Sequence, residues 1–247
     1  MTASGERAHV ALFRAREDAG GSAARLRRLG FSVVGLPVIE IHGQPIRPRR
    51  ARYDAVIATS AKAFHAESAP ASSPPLYLVG ARAGRAAEAR GWRLAAPPAR
   101  SAAELVRMVA GALKPRASIL YIAGRDRKDA VETALAEQYE LEVVEAYAAE
   151  ARASWRPSEA QALARCIAAL HYSRRSASLA ADLAKAAGKN ACFLKLKHVC
   201  ISQDAAEPLQ TIGASSLFIA KTPDEAGLFQ TLRQALGGFA SLGPSRI

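Results

Sequence analysis

Residues 30–40 read GFSVVGLPVIE and residues 140–150 read ELEVVEAYAAE, two apolar runs built around Val-Val, 110 positions apart, each ending in glutamate. Working outward, further pairs follow in the same order. Tyr53–Ser60 (YDAVIATS) matches Cys166–Ser173 (CIAALHYS) at an offset of 113. Leu78-Val79-Gly80 with Gly91 matches Cys200-Ile201-Ser202 with Gly213, the marked positions lying 11 apart in both copies. Ser101-Ala-Ala-Glu104 and Thr222-Pro-Asp-Glu225 then both read as capping boxes, in which a hydroxyl caps a backbone N–H and the glutamate reaches back. Matches in one order with similar offsets point to a duplicated unit.

The unit itself is α/β. Short apolar runs at Val10–Phe13, Phe31–Gly35, Ala55–Ala58, Leu76–Val79, Ile119–Ile122 and Leu141–Val144 have the length of buried parallel strands, as do Ala168–His171, His198–Ile201 and Leu217–Ala220. Helix-like or connecting stretches separate them; Ala19–Leu29 reads as a helix closed by Gly30. Such alternation implies parallel sheets covered by helices.

Composition narrows the function. Half of the 247 residues are hydrophobic, so a packed core is expected. No apolar run approaches the ~20 residues that span a bilayer, and Met1–His9 lacks the apolar stretch of a secretory signal. The expected location is the cytoplasm, with no membrane partner. Cys166, Cys192 and Cys200 show no CxxC spacing, and His9, His42, His65, His171 and His198 form no HxxxH or HExxH pair, so neither disulfides nor a metal site is signalled. The net charge of +12 suits an anionic partner or simply solvated faces. No basic run with interleaved aromatics speaks for nucleic acid. Gly80-Ala-Arg-Ala-Gly84 lacks the third glycine of a dinucleotide fingerprint, and no Ser-His-Asp order or paired carboxylates can be assigned.

At this point the residues resemble a known family. HVALFRAREDA, a helix ending in LRRLG and then FSVVGLPVIEI are similar to the start of uroporphyrinogen-III synthases: a strand ending in Arg, a helix ending in LxxLG, and a strand running into LPxxxI. YDAVIATSAKAF resembles the family's strand ending in Thr-Ser, LYLVGARAGRAAEARGW its Val-Gly-x-x-Thr helix start, and ILYIAGRDRKDAVETAL with VVEAYAAE its strand-end glycine and later Val-x-x-Tyr. LHYSRRSA and CISQDAAEPLQTIGA repeat the theme. The resemblance covers nearly the whole chain. It departs at Ala83 and Ala205, where the helix-start threonines would stand, and at Ser202, in place of the second glycine.

The resemblance implies two similar parallel-sheet α/β domains of HemD-like fold, the first discontinuous (1–36 and 152–247), the second at 42–146. Linker strands Pro37–Ile41 and Tyr147–Ala151 would join them, with the active site in the interdomain cleft. The implied enzyme is a cofactor-free, metal-free lyase, a monomer in the family. It closes hydroxymethylbilane, a linear tetrapyrrole with eight carboxylates, into uroporphyrinogen III, with loss of water and inversion of ring D in heme biosynthesis. Its task is largely positioning, and its carboxylates can be held by backbone N–H groups at strand-to-helix turns. Ser60–Ala63, Gly80–Ala83, Gly124–Arg127 and Ser173–Ser176 are turns of that type.

Tyr147 matches the family tyrosine proposed to assist departure of the hydroxyl; it could equally be a packed linker residue. Arg14 and Arg125 follow strands at equivalent places and could pair with carboxylates. The expected substrate-binding set is Arg14, Thr59, Ser60, Ala61, Gly80, Arg82, Gly124, Arg125, Ser173, Arg174 and Ser202. For Arg82, Arg127 and Arg174 a surface role is the simpler account, and Ser60 and Ser173 could merely cap helices. A non-catalytic two-lobed module binding an anionic ligand is the alternative function. A basic protein acting on nucleic acid is the least supported.

Overall fold

The computed structural model describes residues 8–64 and 74–237. His65 and most of Met1–His9 lie outside the described residues. In chain order the elements begin β1 (His9–Leu12), α1 (Arg16–Arg28), β2 (Ser32–Gly35), β3 (Ile39–Gly43), β4 (Ala55–Ala58), a 3₁₀ turn (Ala61–Phe64), β5 (Leu76–Leu78), α2 (Ala81–Glu88) and α3 (Ala102–Ala112). They continue β6 (Ser118–Gly124), α4 (Ala130–Ala136), β7 (Glu140–Ala151), α5 (Pro157–Leu163), β8 (Ala168–His171) and α6 (Arg174–Ala186). Last come α7 (Asn190–Leu194), β9 (Lys197–Cys200), α8 (Gln203–Thr211), β10 (Leu217–Ile219) and α9 (Glu225–Ala235). Every apolar run read as a strand is one, within three residues at each end, except that β7 extends to twelve residues.

The chain divides into two compact units. One comprises the residues up to Glu40 and those from Ala151 onward, the other Ile41 to Glu150. The first holds a sheet in the order β2-β1-β8-β9-β10, all parallel. Strand alternation splits its core into two layers. Val10 and Leu12 pack with Leu26 of α1 and with Leu228 and Leu232 of α9. Ala11 and Phe13 face the other way, onto alanines of α6 and α8 and onto Phe193. The second unit orders its strands β3-β7-β6-β4-β5. Val56, Leu120 and Ile122 pack on the α2 side, while Ile57, Ile119 and Tyr121 pack on the side of α3 and α4.

The repeat explains the topology. Leu76 of β5 bridges Leu94 in parallel, as His198 of β9 pairs with Leu217 of β10. The order β2-β1-β8-β9-β10 is therefore answered by β7-β6-β4-β5 and the Leu94 bridge. Each unit takes part of each sequence copy: β1 and β2 of the first copy pair with β8 to β10 of the second. The ladders correct one detail. Val10 pairs with Val33 and with Ala168, while Ile119 pairs with Leu141 and with Ala55. Val33 thus corresponds to Leu141, two residues from the match made on Val-Val. A slip of two keeps every side chain on its face, so apolar pattern alone cannot detect it. By the same register Arg14 corresponds to Ala123 and not to Arg125.

Local differences have local causes. α1 begins at Arg16, three residues before the expected start, and places Glu17 and Asp18 in its first turn, where the helix dipole favours acids. Of the expected crossing Pro37–Ile41, only Ile39 onward is strand; Pro37 has no N–H to give a ladder. Gln44 N donates to Ala146 O and Arg152 N to Val38 O, so β3 runs antiparallel to β7. Ser101 caps α3 by accepting from Glu104 N, but Glu104 reaches back to Arg100 N. At Thr222–Glu225 the expected capping box does not form. Asp224 is the cap, accepting from Gly227 N at 2.7 Å, and Glu225 is drawn into an arginine cluster.

Candidate active site

In the second unit the carboxyl ends of β6 and β7 carry an irregularity. Ala123 pairs with Glu145, but Gly124 pairs with Tyr147, so one residue of β7 is skipped. This bulge puts Ala146 and Tyr147, neighbours in sequence, against the same core layer as Val144. Strict alternation would have sent Tyr147 to the opposite face with Val143; bulges re-aim side chains in this way. The ring then lies on Gly124. A Cβ at that position would stand 2.5 Å from Tyr147 Cζ and 2.7 Å from its hydroxyl oxygen, so glycine alone admits the phenol there. Tyr147 is half-buried, and its hydroxyl has no hydrogen-bond partner among the described residues.

The turn under this ring is held by its neighbours. Arg125 N donates to Tyr147 O at 2.9 Å, while the Arg125 side chain, about half exposed, pairs with Glu145 and Glu150. Arg127 is no simple surface residue. Its Nε meets Glu132 at 2.6 Å, and its Nη1 reaches Gly124 O at 3.0 Å, Arg125 O at 3.4 Å and Glu145 at 3.3 Å. The hydrogen bond to Glu132 raises the guanidinium above its ordinary range. Gly124–Arg127 is not a helix start, because α4 opens only at Ala130; Arg127 binds the turn's carbonyls instead.

Nearby, Thr59 Oγ1 and Tyr121 Oη share a hydrogen bond of 2.9 Å, and burial raises the Tyr121 phenol above its usual range. Ser60 Oγ accepts from Lys62 N at 3.2 Å, and the helix expected at Ser60–Ala63 is a single 3₁₀ turn opening at Ala61. Gly80 precedes α2 with φ of 87°, in the left-handed region glycine favours, and accepts from Ala83 N. Arg82 projects from α2 and is exposed. Ala83, third in the helix, is buried in the core.

In the first unit Arg14 is absorbed by a network. Its Nη1 donates to Ser22 Oγ at 3.0 Å and approaches Glu225 at 3.7 Å, and its guanidinium lies 4.1 Å above the Tyr172 ring. Ser22, Arg25 and the Tyr172 hydroxyl, the last at 3.0 Å, all converge on Glu225, whose side chain is 15% exposed. Burial pushes the Tyr172 phenol well up. A cavity of about 180 Å³, lined within this unit by Arg14, Arg16, Arg156 and Glu159, opens beside Leu12 and Leu36 at the ends of β1 and β2. Burial opposes the charge on Glu159, but the Arg156 N–H and the guanidiniums of Arg156 and Arg152 outweigh it and hold the carboxyl below its ordinary range. Ser173 caps α6 by accepting from Ser176 N, and Ser202 caps α8 by accepting from Ala205 N. Arg174 is exposed and paired with Asp204 and Glu207. The missing threonine at Ala205 leaves no backbone donor stranded there, since Ser202 supplies the cap and Ala205 fills a fully buried position.

Sequence reasoning missed Glu225, Tyr172 and the pair His171–His198. The two imidazoles are buried, with His171 Nε2 and His198 Nδ1 3.0 Å apart and His198 Nε2 3.0 Å from Phe193 O. The carbonyl fixes a proton on His198 Nε2, so its Nδ1 accepts from His171, and His171 Nδ1 is left without a partner among the described residues. Burial lowers both, His198 to about 4 and His171 well below the usual range. Each of two adjacent strands carries a histidine among apolar residues, the one signal available. Among the described residues no group of three His, Cys, Asp or Glu side chains is placed to hold a metal, and no helix is long and apolar enough to cross a membrane.

Residues 21–230 match the family model described as uroporphyrinogen-III synthase HemD. The chain is similar to a uroporphyrinogen-III synthetase crystal structure from Helicobacter pylori 26695 at 17% identity and a TM-score of 0.58, over 94% of this chain and 100% of that one. Two structures of the Thermus thermophilus synthase, a mutant and the wild type, give 17% and 18% identity with TM-scores of 0.48 and 0.42, each over 93% of this chain and 98% of the other. At such identity the Helicobacter likeness bears on the fold alone. No curated protein matches the chain.

Proposed function

The chain belongs to the uroporphyrinogen-III synthase family, and we propose that it closes hydroxymethylbilane into uroporphyrinogen III with inversion of the last ring. The observation that carries the chemistry is the Tyr147 phenol, fixed on Gly124 by a strand bulge and left with no hydrogen-bond partner among the described residues. A phenol that no protein group occupies keeps its O–H available to a ligand. On this account Tyr147 donates to the terminal hydroxyl of the bilane as the C–O bond breaks and water departs. Such assistance contributes on the order of 10²–10⁴-fold in general acid catalysis.

The remaining work is orientation. The bilane carries eight carboxylates, and the family reaction differs from spontaneous closure in that the substituent-bearing carbon of ring D attacks the activated terminal carbon. Backbone donors at the turns after β4, β5, β8 and β9, where Ser60, Ala61, Gly80, Ser173 and Ser202 stand, and Arg16 and Arg156 around the first unit's cavity, would supply anion contacts, with Arg14 tied to Ser22 and Glu225 beside them. Thr59, Arg82 and Arg174 are at the edges of the turns after β4, β5 and β8, and Arg125 stands in the turn after β6. The chain is proposed to act as a cytoplasmic monomer; its three free cysteines suit a reducing compartment.

The test supplies hydroxymethylbilane generated in place and resolves the uroporphyrin isomers. Enrichment of isomer III over isomer I is expected. Isomer I alone, at the spontaneous rate, would refute the assignment.

A further inference from the structure

We propose that Arg127 is a positioning residue for this reaction, acting through the Gly124–Arg125 turn on Tyr147. The inference rests on the function proposed above and adds a residue to it. Tyr147 is supported from below by Gly124, whose missing side chain leaves the space the ring fills. The orientation of that glycine is set by the peptide that follows it. Arg127 fixes this peptide from the α4 side: one nitrogen, Nη1, reaches Gly124 O at 3.0 Å and Arg125 O at 3.4 Å. The same guanidinium is itself anchored, with Nε and Nη2 on the two oxygens of Glu132 at 2.6 and 3.4 Å and Nη1 also 3.3 Å from Glu145. From the other direction Arg125 N holds Tyr147 O at 2.9 Å. The turn is therefore tied at its carbonyls by Arg127 and at its N–H by the strand that carries the phenol.

The arrangement needs an arginine. Nε, Nη1 and Nη2 are all taken by protein acceptors, so the group is used up in holding the turn and keeps little to offer a substrate carboxylate. A lysine has one nitrogen on a flexible stem and cannot meet Glu132 in bidentate fashion while also reaching two carbonyls. With a side chain 22% exposed against 49% for Arg125, Arg127 is also the more enclosed of the two. The strand-to-loop junction after β6 would otherwise be free to rotate Gly124 and let the ring slide.

The experiment is a double-mutant cycle on Arg127→Lys and Tyr147→Phe, with kcat, KM and the ratio of isomer III to isomer I measured for each protein. Arg127→Lys is expected to lower kcat by about tenfold with KM within about twofold, because a positioning error of a fraction of an ångström is felt in the reacting state and not in binding. In the double variant kcat should fall no further than in Tyr147→Phe alone, since the arginine acts only through the phenol. Multiplicative losses, or a raised KM with unchanged kcat, would show that Arg127 meets the substrate itself and would overturn the proposal. So would full kcat in Arg127→Lys. If Arg127→Lys is unfolded at the assay temperature by circular dichroism, Glu145→Gln loosens the same guanidinium while leaving the Glu132 pair, and the same non-additivity is required of it. Failure of the wild type to make isomer III would sink the proposed function, an outcome separate from all of these.

Discussion

Tyr147 lies on β7 beside the carboxyl end of β6 in the second unit, Tyr172 just after β8 in the first, and their phenols meet opposite fates. Tyr172 follows β8, donates to Glu225 at 3.0 Å and lies under the Arg14 guanidinium, so every polar feature of it is used within the first unit. Tyr147 ends on a bulge of β7 over a glycine and has no partner among the described residues. A tyrosine near a strand end is by itself uninformative. Accounting for its hydrogen bonds separates the phenol held within the protein from the one without a partner among the described residues.

The comparison can be broken most severely at Gly124. Gly124→Ala sets a methyl 2.5 Å from the Tyr147 ring, and the ring must move. Steady-state assay should show kcat lower by about 100-fold, the cost of roughly an ångström of misplacement, with the far-ultraviolet dichroism unchanged. Retention of full kcat would mean the seat of the ring is irrelevant.

Acid should act on the first unit and spare the second. His171 and His198 are held neutral by burial, with folded pKa values below those of the unfolded chain, so the unfolded state takes up protons first as the pH falls. Unfolding free energy is then lost from about pH 6.5 down towards 4, by up to about 1.4 kcal/mol per pH unit for each histidine. Asp54, Glu142 and Glu159 are carboxylates with lowered pKa, whose contribution is lost only at lower pH, so they do not confuse that window. Urea unfolding at pH 7, 6 and 5 with hydrogen exchange should show β1 and β8 amides losing protection before β4 and β6. Equal loss in both units would remove the histidine pair as the cause.

A smaller effect sharpens the comparison at Glu225. Glu225→Gln leaves Arg14, Arg25, Ser22 and Tyr172 sharing one neutral acceptor, and about 1–3 kcal/mol of stability should be lost to weakened charge-assisted bonds. Denaturant midpoints check this, while kcat should stay within about threefold. A tenfold fall in kcat without loss of stability would place the first unit's network in the chemistry.

Much of the architecture was legible because buried parallel strands are short continuous apolar runs, and Ala55–Ala58 and Ala168–His171 are fully buried as such runs should be. The duplication was legible in the residues themselves, whereas the joining of 1–36 with 152–247 came only from the family resemblance, since β1 pairing with β8 across a long stretch of chain leaves no local pattern. At the site, Tyr147, Gly124 and Thr59 could be named from the sequence by family resemblance. The bulge could not, since nothing in EVVEAYAAE marks where the pairing skips a residue, and it alone decides which face the phenol takes. Thr222–Glu225 fits a capping box on spacing. It fails because Asp224 reaches Gly227 N first and because two arginines and a tyrosine, distant in sequence, compete for Glu225. Arg127 looked like surface charge because its acceptors include carbonyls, which no residue pattern displays.

The most direct measurement sets Tyr147→Phe beside Tyr172→Phe in one isomer-resolved assay. Formation of isomer III should fall by about 100-fold in the first and stay within about threefold in the second, which should instead lose about 1 kcal/mol of stability. Equal activity losses, or a silent Tyr147→Phe beside an inactive Tyr172→Phe, would contradict the account.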